Sequence, residues 1–202
     1  MKNQLLIVFT RRPELGKVKT RLAKDTSDEV ALKVYQDLLT HTHSITKNLE
    51  VDKWVFYTDE IEFEDMWNEG GFMKMIQAEG DLGKKMQEAF FKGFGAGYLE
   101  VVIIGSDIDT LTEEMIQDAF EQVQQQNVIG PSEDGGYYLL GLNEPRTDVF
   151  ENKEWGTDSV LRDTILNFSE EEVFLMEELN DIDVLEDITE DSFLFEHVKE
   201  YK

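Results

Sequence analysis

Apolar and polar positions divide the chain into alternating strand-like and helix-like stretches. Gln4–Phe9 reads as a buried first strand, and Val101–Ile104, an unbroken β-branched run, as a strand buried on both faces. Trp54–Tyr57 and Met73–Ile76 are two further short strands, separated by a short helix over Ile61–Trp67 and a Gly70-Gly71 turn. Ser27–Lys47 carries Val30, Val34, Leu38 and Ile45 on one stripe behind an N-cap serine, which predicts an amphipathic helix. A second runs from Lys84 to about Phe94, with Asp81 placed to cap it and Gly93, Gly95 and Gly97 as C-cap and linker. Thr110 and Glu113 form a capping box that opens a helix reaching Gln126. Asn127–Gly141 reads as strand, turn at Asp134–Gly136, and returning strand. Trp155–Thr157 heads a helix over Asp158–Phe168, an acidic tail begins at Glu170–Leu175, and Asn180–Asp183 precedes a last helix from Leu185. Strands alternating with helices predict an α/β fold. At 202 residues, with no internal repeat or interior linker, residues 1–202 are expected to form one domain.

This pattern gives positional meaning to several polar residues. Asp107 and Asp109 fall just past the carboxyl end of the Val101–Ile104 strand, where open α/β sheets bind ligands. Two carboxylates one residue apart can share a hard divalent cation that keeps positions free for a phosphate. They can equally be solvated loop acids, one of them a helix cap. The loop after the first strand, Thr10–Lys19, holds Arg11, Arg12, Lys17 and Lys19 with Pro13 and Gly16, and Arg21 follows where a helix would begin. Arginine forks and lysine point charges there suit a phosphate group, although the loop has neither the Walker nor the Gly-x-Gly-x-x-Gly spacing. A basic surface loop is the plainer reading. Asp134, Gly135 and Gly136 either bring backbone close to a ligand or make an ordinary hairpin turn. His41 and His43 stand two apart rather than the four of a helical metal pair, and are expected at the surface.

Charge sharpens the contrast. The formal net charge is −25, which argues against nucleic acid and against anionic membrane surfaces as partners. Yet residues 1–24 contain seven basic side chains against one acid, whereas residues 169–202 contain thirteen acids against two lysines. A cationic island in so acidic a chain asks for a ligand. With no cysteine, disulfides, thiolate metal sites and a cysteine nucleophile are excluded. No apolar run approaches the ~20 residues needed to span a bilayer, and no charged-then-apolar leader is evident, so a cytoplasmic protein is expected.

Five stretches taken together, Phe9–Leu22, Gly80–Gly83, Gly105–Asp107 with Leu111-Thr112, Gly130–Leu142, and Trp155–Thr157 with Val160-Leu161, resemble the DUF2064 family of the nucleotide-diphospho-sugar transferase (GT-A) superfamily. Asp181–Asp183 with Glu186-Asp187 is similar to the Asp-x-Asp-Thr-Pro-x-Asp ending of small nucleotidyltransferases. The resemblance implies a three-layer α/β/α sandwich, Rossmann-like, with a mixed central sheet. Relatives include predicted glycosyltransferases, some linked to arsenosugar biosynthesis. It also implies roles: Arg11, Gly16, Lys17, Lys19 and Arg21, with Asp81, at the nucleotide diphosphate; Asp107 and Asp183, joined by Asp109, at Mg²⁺ or Mn²⁺; and Gly135, Gly136, Trp155 and Thr157 at the acceptor. Asp107 and Asp134 would be the catalytic carboxylates, Asp134 as general base. Position 109 departs from the family, which usually has proline there; Asp109 either completes an Asp-x-Asp clasp or is a neutral loop change. The expected activity is a metal-dependent glycosyltransferase with a nucleotide-sugar donor and a small-molecule acceptor. The alternatives are a nucleotidyltransferase related to phospholactate guanylyltransferase, and a non-catalytic nucleotide-binding protein of the same fold.

Overall fold

The computed structural model describes residues 3–169 and 171–202; Lys2 and Glu170, which entered the charge contrast, lie outside them. Seven strands form one sheet: β1 (Gln4–Thr10), β2 (Asp52–Tyr57), β3 (Phe72–Ile76), β4 (Glu100–Ile104), β5 (Asn127–Pro131), β6 (Tyr137–Leu142) and β7 (Val173–Leu175), in the order β3-β2-β1-β4-β6-β5-β7. β1 pairs in parallel with β2 and β4, β2 with β3, and β5 with β7, while β6 runs antiparallel between β4 and β5. The sheet is therefore mixed. The helices are α1 (Thr20–Asp25), α2 (Asp28–Thr46), α3 (Leu82–Gly95), α4 (Glu113–Val123), α5 (Val160–Ile165) and α6 (Phe195–Val198).

Alternation along the central strands builds the layers. In β1, Leu6 and Val8 face a core shared with Tyr35 and Leu39 of α2 and Ile116, Phe120 and Val123 of α4. Leu5 and Ile7 face the opposite core, with Met86 and Phe90 of α3 and, at its margin, Leu161 and Ile165 of α5. Because both faces are covered, β1 and β4 can be apolar without alternation, as Leu5–Phe9 and Val101–Ile104 are. A third cluster packs Ile182, Ile188, Leu194 and Val198 of the C-terminal segment onto Leu22 of α1 and Val34 and Leu38 of α2. The chain reaches β1, β2 and β3 moving one way and then returns to β4 on the other side of β1. The strand order thus reverses between β1 and β4, which opens a crevice at their carboxyl ends. Among the described residues, no helix is long and apolar enough to cross a membrane.

Several local expectations are corrected. Ile61–Trp67 is not a helix; only Met66–Asn68 makes one 3₁₀ turn. Its backbone is claimed from outside, since Lys74 Nζ donates to the Glu62 carbonyl and also pairs with Asp65, which caps the turn and accepts the Tyr57 hydroxyl. The helix at Leu185 shrinks to the 3₁₀ turn Leu185–Asp187, ended by extended backbone at Ile188; the Asp187 carboxylate caps its start by accepting the N–H groups of Asp183 and Val184. β7 went unforeseen: three residues among acids carry too little periodicity. His43 is buried against Trp67 and Phe72 rather than exposed.

The helix after β4 is capped by Thr112, whose hydroxyl accepts from Met115 N–H, and not by Thr110. Buried Ile108 and Leu111 anchor the intervening loop, and the Leu111 carbonyl is bonded to His41, so the helix starts two residues late. Thr112→Ala is expected to lower stability by about 1 kcal/mol, the usual cost of a lost N-cap. Thr110→Ala, at an exposed site, should leave the urea midpoint unchanged.

Candidate functional site

The crevice at the β1–β4 switch is a cavity of about 620 Å³. Three segments meet in it: the loop after β1, the loop after β4, and the C-terminal segment around residue 182. Lys19 joins them. It sits at the N-cap of α1 with φ 45°, in the left-handed region that residues bearing a Cβ enter at a cost. Its side chain is only 5% exposed, and Nζ lies 2.9 Å from Asp107 and 3.2 Å from Asp183. Arg21 Nη1 reaches the other oxygen of Asp183 at 3.2 Å. Burial pulls Lys19 toward its neutral form, but the two carboxylates outweigh this and hold its pKa above the ordinary 10.5.

The late carboxylates arrive by extended-chain alternation. Ile182 donates its N–H to the Asp107 carbonyl and buries its side chain in the third core cluster, so Asp181 and Asp183 on either side of it line the cavity. Asp181 accepts from the Ser132 hydroxyl at 2.7 Å. Burial, together with Asp134 and Asp183 nearby, raises its pKa. On the β5–β6 side, Asp134 Oδ1 accepts the Gly136 N–H at 2.8 Å, which shapes the turn. Gly135 has φ +85°, and a Cβ there would lie 2.3 Å from the Asp158 carbonyl oxygen, so this turn packs against the start of α5 as only glycine permits.

Aromatic and apolar side chains also line the cavity. Trp155 packs across Gly83 in the first turn of α3, where an added Cβ would fall 2.3 Å from the indole, and meets Tyr137 edge-on. Leu82, Met86, Gly156, Thr157 and Val160 complete this wall. The Gly80–Gly83 and Trp155–Thr157 stretches, separate in sequence, are thus one packing unit.

Of the expected nucleotide residues, Arg11, Lys19 and Arg21 line the cavity. Lys17 does not; it is 70% exposed and paired with Glu14. Gly16, at φ +72°, only turns the loop. Asp81 caps α3 by accepting from Lys84 N–H and is not part of the lining. Among the acids, Asp107, Asp134 and Asp183 line the cavity, whereas Asp109 turns to the C-terminal segment and accepts the Ser192 hydroxyl. Gly136, Trp155 and Thr157 line it; Gly135 lies behind the turn. Sequence reasoning passed over Asp181, Ser132, Lys85 and Tyr35. The alternation of Asp181 with Asp183 was the available signal for the first. The Tyr35 hydroxyl bonds both the N–H and the carbonyl of Arg11, a long-range contact with no local signature.

Among the described residues, no three acids or histidines form a ready-made metal cage. Asp107 and Asp183 nevertheless offer hard oxygens, and one or two carboxylates are what Mg²⁺ takes beside substrate phosphates. The charge balance points the same way. Four cations (Arg11, Lys19, Arg21, Lys85) face four carboxylates (Asp107, Asp134, Asp181, Asp183), so a diphosphate entering the cavity brings negative charge that no surplus cation offsets.

This mixed sheet, with its crevice at the β1–β4 switch, is the fold of nucleotide-diphospho-sugar transferases. A candidate nucleotide-diphospho-sugar transferase from Desulfovibrio desulfuricans G20 superposes with a TM-score of 0.86 at 29% identity, covering 99% of this chain and 95% of that one. A cytidylyltransferase from Leptospira borgpetersenii serovar Hardjo-bovis shares the fold at TM-score 0.59 and 13% identity, over 99% and 95% of the two chains. So does 4-diphosphocytidyl-2C-methyl-D-erythritol synthase from Anaerococcus prevotii, at 0.58 and 12%, over 92% of each. The chain belongs to the family described as uncharacterized protein conserved in bacteria (DUF2064), whose profile matches residues 41–157. That span includes Asp107, Asp134 and Trp155 but neither the basic loop nor Asp183. No curated protein matches the chain.

Two variants probe the site without a ligand. Gly83→Ala should expel Trp155, costing about 1–3 kcal/mol by overpacking and red-shifting tryptophan emission, while buried Trp54 and Trp67 stay unchanged. Asp181 keeps its proton to higher pH in the native chain than unfolded, so stability falls as pH rises above the ordinary 3.8 through its raised pKa. Asp181→Asn should therefore raise the melting temperature at pH 7, with the gain vanishing in acid, as calorimetry at both pH values would show.

Proposed function

We propose that this protein is a metal-dependent glycosyltransferase that moves a sugar from a nucleotide diphosphate to a hydroxyl of a small-molecule acceptor. The observation that carries the proposal is the meeting of Lys19 and Arg21 with Asp107 and Asp183 in a cavity that Trp155 also lines. Lys19, Arg21 and Arg11 bind the diphosphate, arginine by forked contacts and lysine as a point charge. Asp107 and Asp183 would hold Mg²⁺ or Mn²⁺, which when bound supplies positive charge to the leaving diphosphate. Trp155, Thr157 and Gly136 bind and orient the acceptor, and the aromatic wall excludes water from it. Asp134, with one oxygen engaged by Gly136 and one free, takes the proton of the attacking hydroxyl. The bond between the sugar's anomeric carbon and the diphosphate breaks as the new glycosidic bond forms.

A second reading keeps the same cradle but attacks the α-phosphorus of a nucleoside triphosphate, as a nucleotidyltransferase. It is favoured by the fold shared with two cytidylyltransferases. Product analysis separates the two. Incubation with nucleotide sugars and Mn²⁺ is expected to release nucleoside diphosphate; pyrophosphate from a triphosphate would establish the second reading instead. Asp107→Asn should reduce kcat/KM about 100-fold, the usual effect of removing one electrostatic contact to the developing charge. If no product forms with any donor and Asp107→Asn alters neither ligand binding nor ligand-induced thermal stabilisation, the chain is not a transferase.

A further inference from the structure

We infer that Lys19 is a built-in competitor for the divalent cation: its ammonium holds the carboxylate oxygens of Asp107 and Asp183, and those oxygens bind a metal ion only after Lys19 lets go. The inference deepens the proposed function, since it takes these two carboxylates as the metal ligands. Three observations support it. One ammonium lies within 3.2 Å of both carboxylates, so the strongest donors in the cavity are already engaged by a cation. The Lys19 side chain is 5% exposed while the carboxylates are 44% and 40% exposed, so the lysine sits beneath them and cannot be shared outward into solvent. The α1 N-cap is left-handed at Lys19, one of two non-glycine residues with positive φ among those described, so the backbone is bent at a cost to aim this side chain there.

An ammonium and a dication on the same oxygens repel each other strongly at such separation. Binding of one therefore weakens binding of the other. A diphosphate changes the exchange by offering Lys19 new oxygens, so nucleotide and metal bind with positive coupling, each strengthening the other by the same factor. Arg21 is a lesser competitor, exposed at 65% and touching Asp183 alone. In the free protein the carboxylates are thus kept apart from adventitious metal and the basic loop is pinned to β4 and to the C-terminal segment.

The test uses Mn²⁺ alone with the whole chain, so it stands whether or not the nucleotide reading does. Mn²⁺ affinity, read from the electron paramagnetic resonance signal of the free ion, should rise about 10-fold or more in both Lys19→Met and Lys19→Gln, the size of a typical coupling. Lys85→Met removes the same charge from the cavity without touching either carboxylate, and should stay near the native affinity. On the native protein, reductive methylation of Lys19 followed by mass spectrometry should be slow without metal and accelerate as Mn²⁺ is added. Equal affinity in the native chain and both Lys19 variants overturns the inference. So does an equal gain in Lys85→Met, or a Lys19 methylation rate indifferent to Mn²⁺. Overturned coupling alongside nucleoside diphosphate release would leave the transferase reading standing; tighter Mn²⁺ binding in a protein that turns over no nucleotide would do the reverse.

Discussion

A buried lysine ammonium shared by two carboxylates holds this site together. Lys19 comes from the loop after β1, Asp107 from the loop after β4, and Asp183 from a segment 164 residues after Lys19. Each of those segments is anchored by its own apolar packing, and Lys19 Nζ meets carboxylates from both of the others, beside the Arg21–Asp183 pair and the Ile182 N–H bond to the Asp107 carbonyl. The arrangement is costly: a cation is withdrawn from water and a non-glycine backbone is held left-handed. Such costs persist where surrounding structure over-determines them, and they gather where chemistry is done.

Charge explains why the link must be so concentrated. A chain of net charge −25 repels an incoming diphosphate at long range, and screening confines that repulsion to about 8 Å in physiological salt. Inside the cavity the balance is four against four. The acids crowding the C-terminal region are therefore not only a solvated face, since one of them, Asp183, pairs with Lys19 of the basic loop and with Arg21, and another, Asp181, lines the cavity. Under the proposed function, attraction for a phosphate would begin when the cationic groups exchange their carboxylates for phosphate oxygens, and a dication on the vacated carboxylates would restore the balance.

The large elements were legible in the sequence because their burial is periodic. Leu5–Phe9 of β1 and Val101–Ile104 of β4 are unbroken apolar runs because both faces are covered, and α2, α3 and α4 show one-sided stripes. Where side chains elsewhere in the fold decide the backbone, local pattern failed. Thr110 has an acid at capping-box distance, Glu113, whereas Thr112 has Met115 there, yet the burial of Ile108 and Leu111 selects the second. Lys74 unmade the helix expected over Ile61–Trp67 by satisfying the Glu62 carbonyl from outside. The site followed the same division. Position at strand ends located Lys19, Arg21 and Asp107, and family resemblance located Asp183. Spacing says nothing about where a side chain turns, so Lys17, Asp81 and Asp109 resembled site residues yet are engaged by Glu14, the α3 cap and Ser192.

The C-terminal segment shows how stability and site are coupled. Around Ile182 the chain is extended, so one side chain enters the core formed with α1 and α2 while its two neighbours enter the cavity. The same segment is tied to the sheet by backbone bonds from Ile182 to Asp107 and from Glu133 to Leu179. Beyond it, Leu194 and Val198 are fully buried against α2, and Asp109 holds Ser192. Asp109 thus serves the site at one remove. Where a metal clasp would have used its carboxylate directly, here it helps fasten the strap that delivers Asp183. Short elements with few backbone bonds open before the central strands do. Opening this one withdraws Asp181 and Asp183 together, leaving Lys19 with Asp107 alone, so two of the cavity's four carboxylates are in place only while the strap is packed.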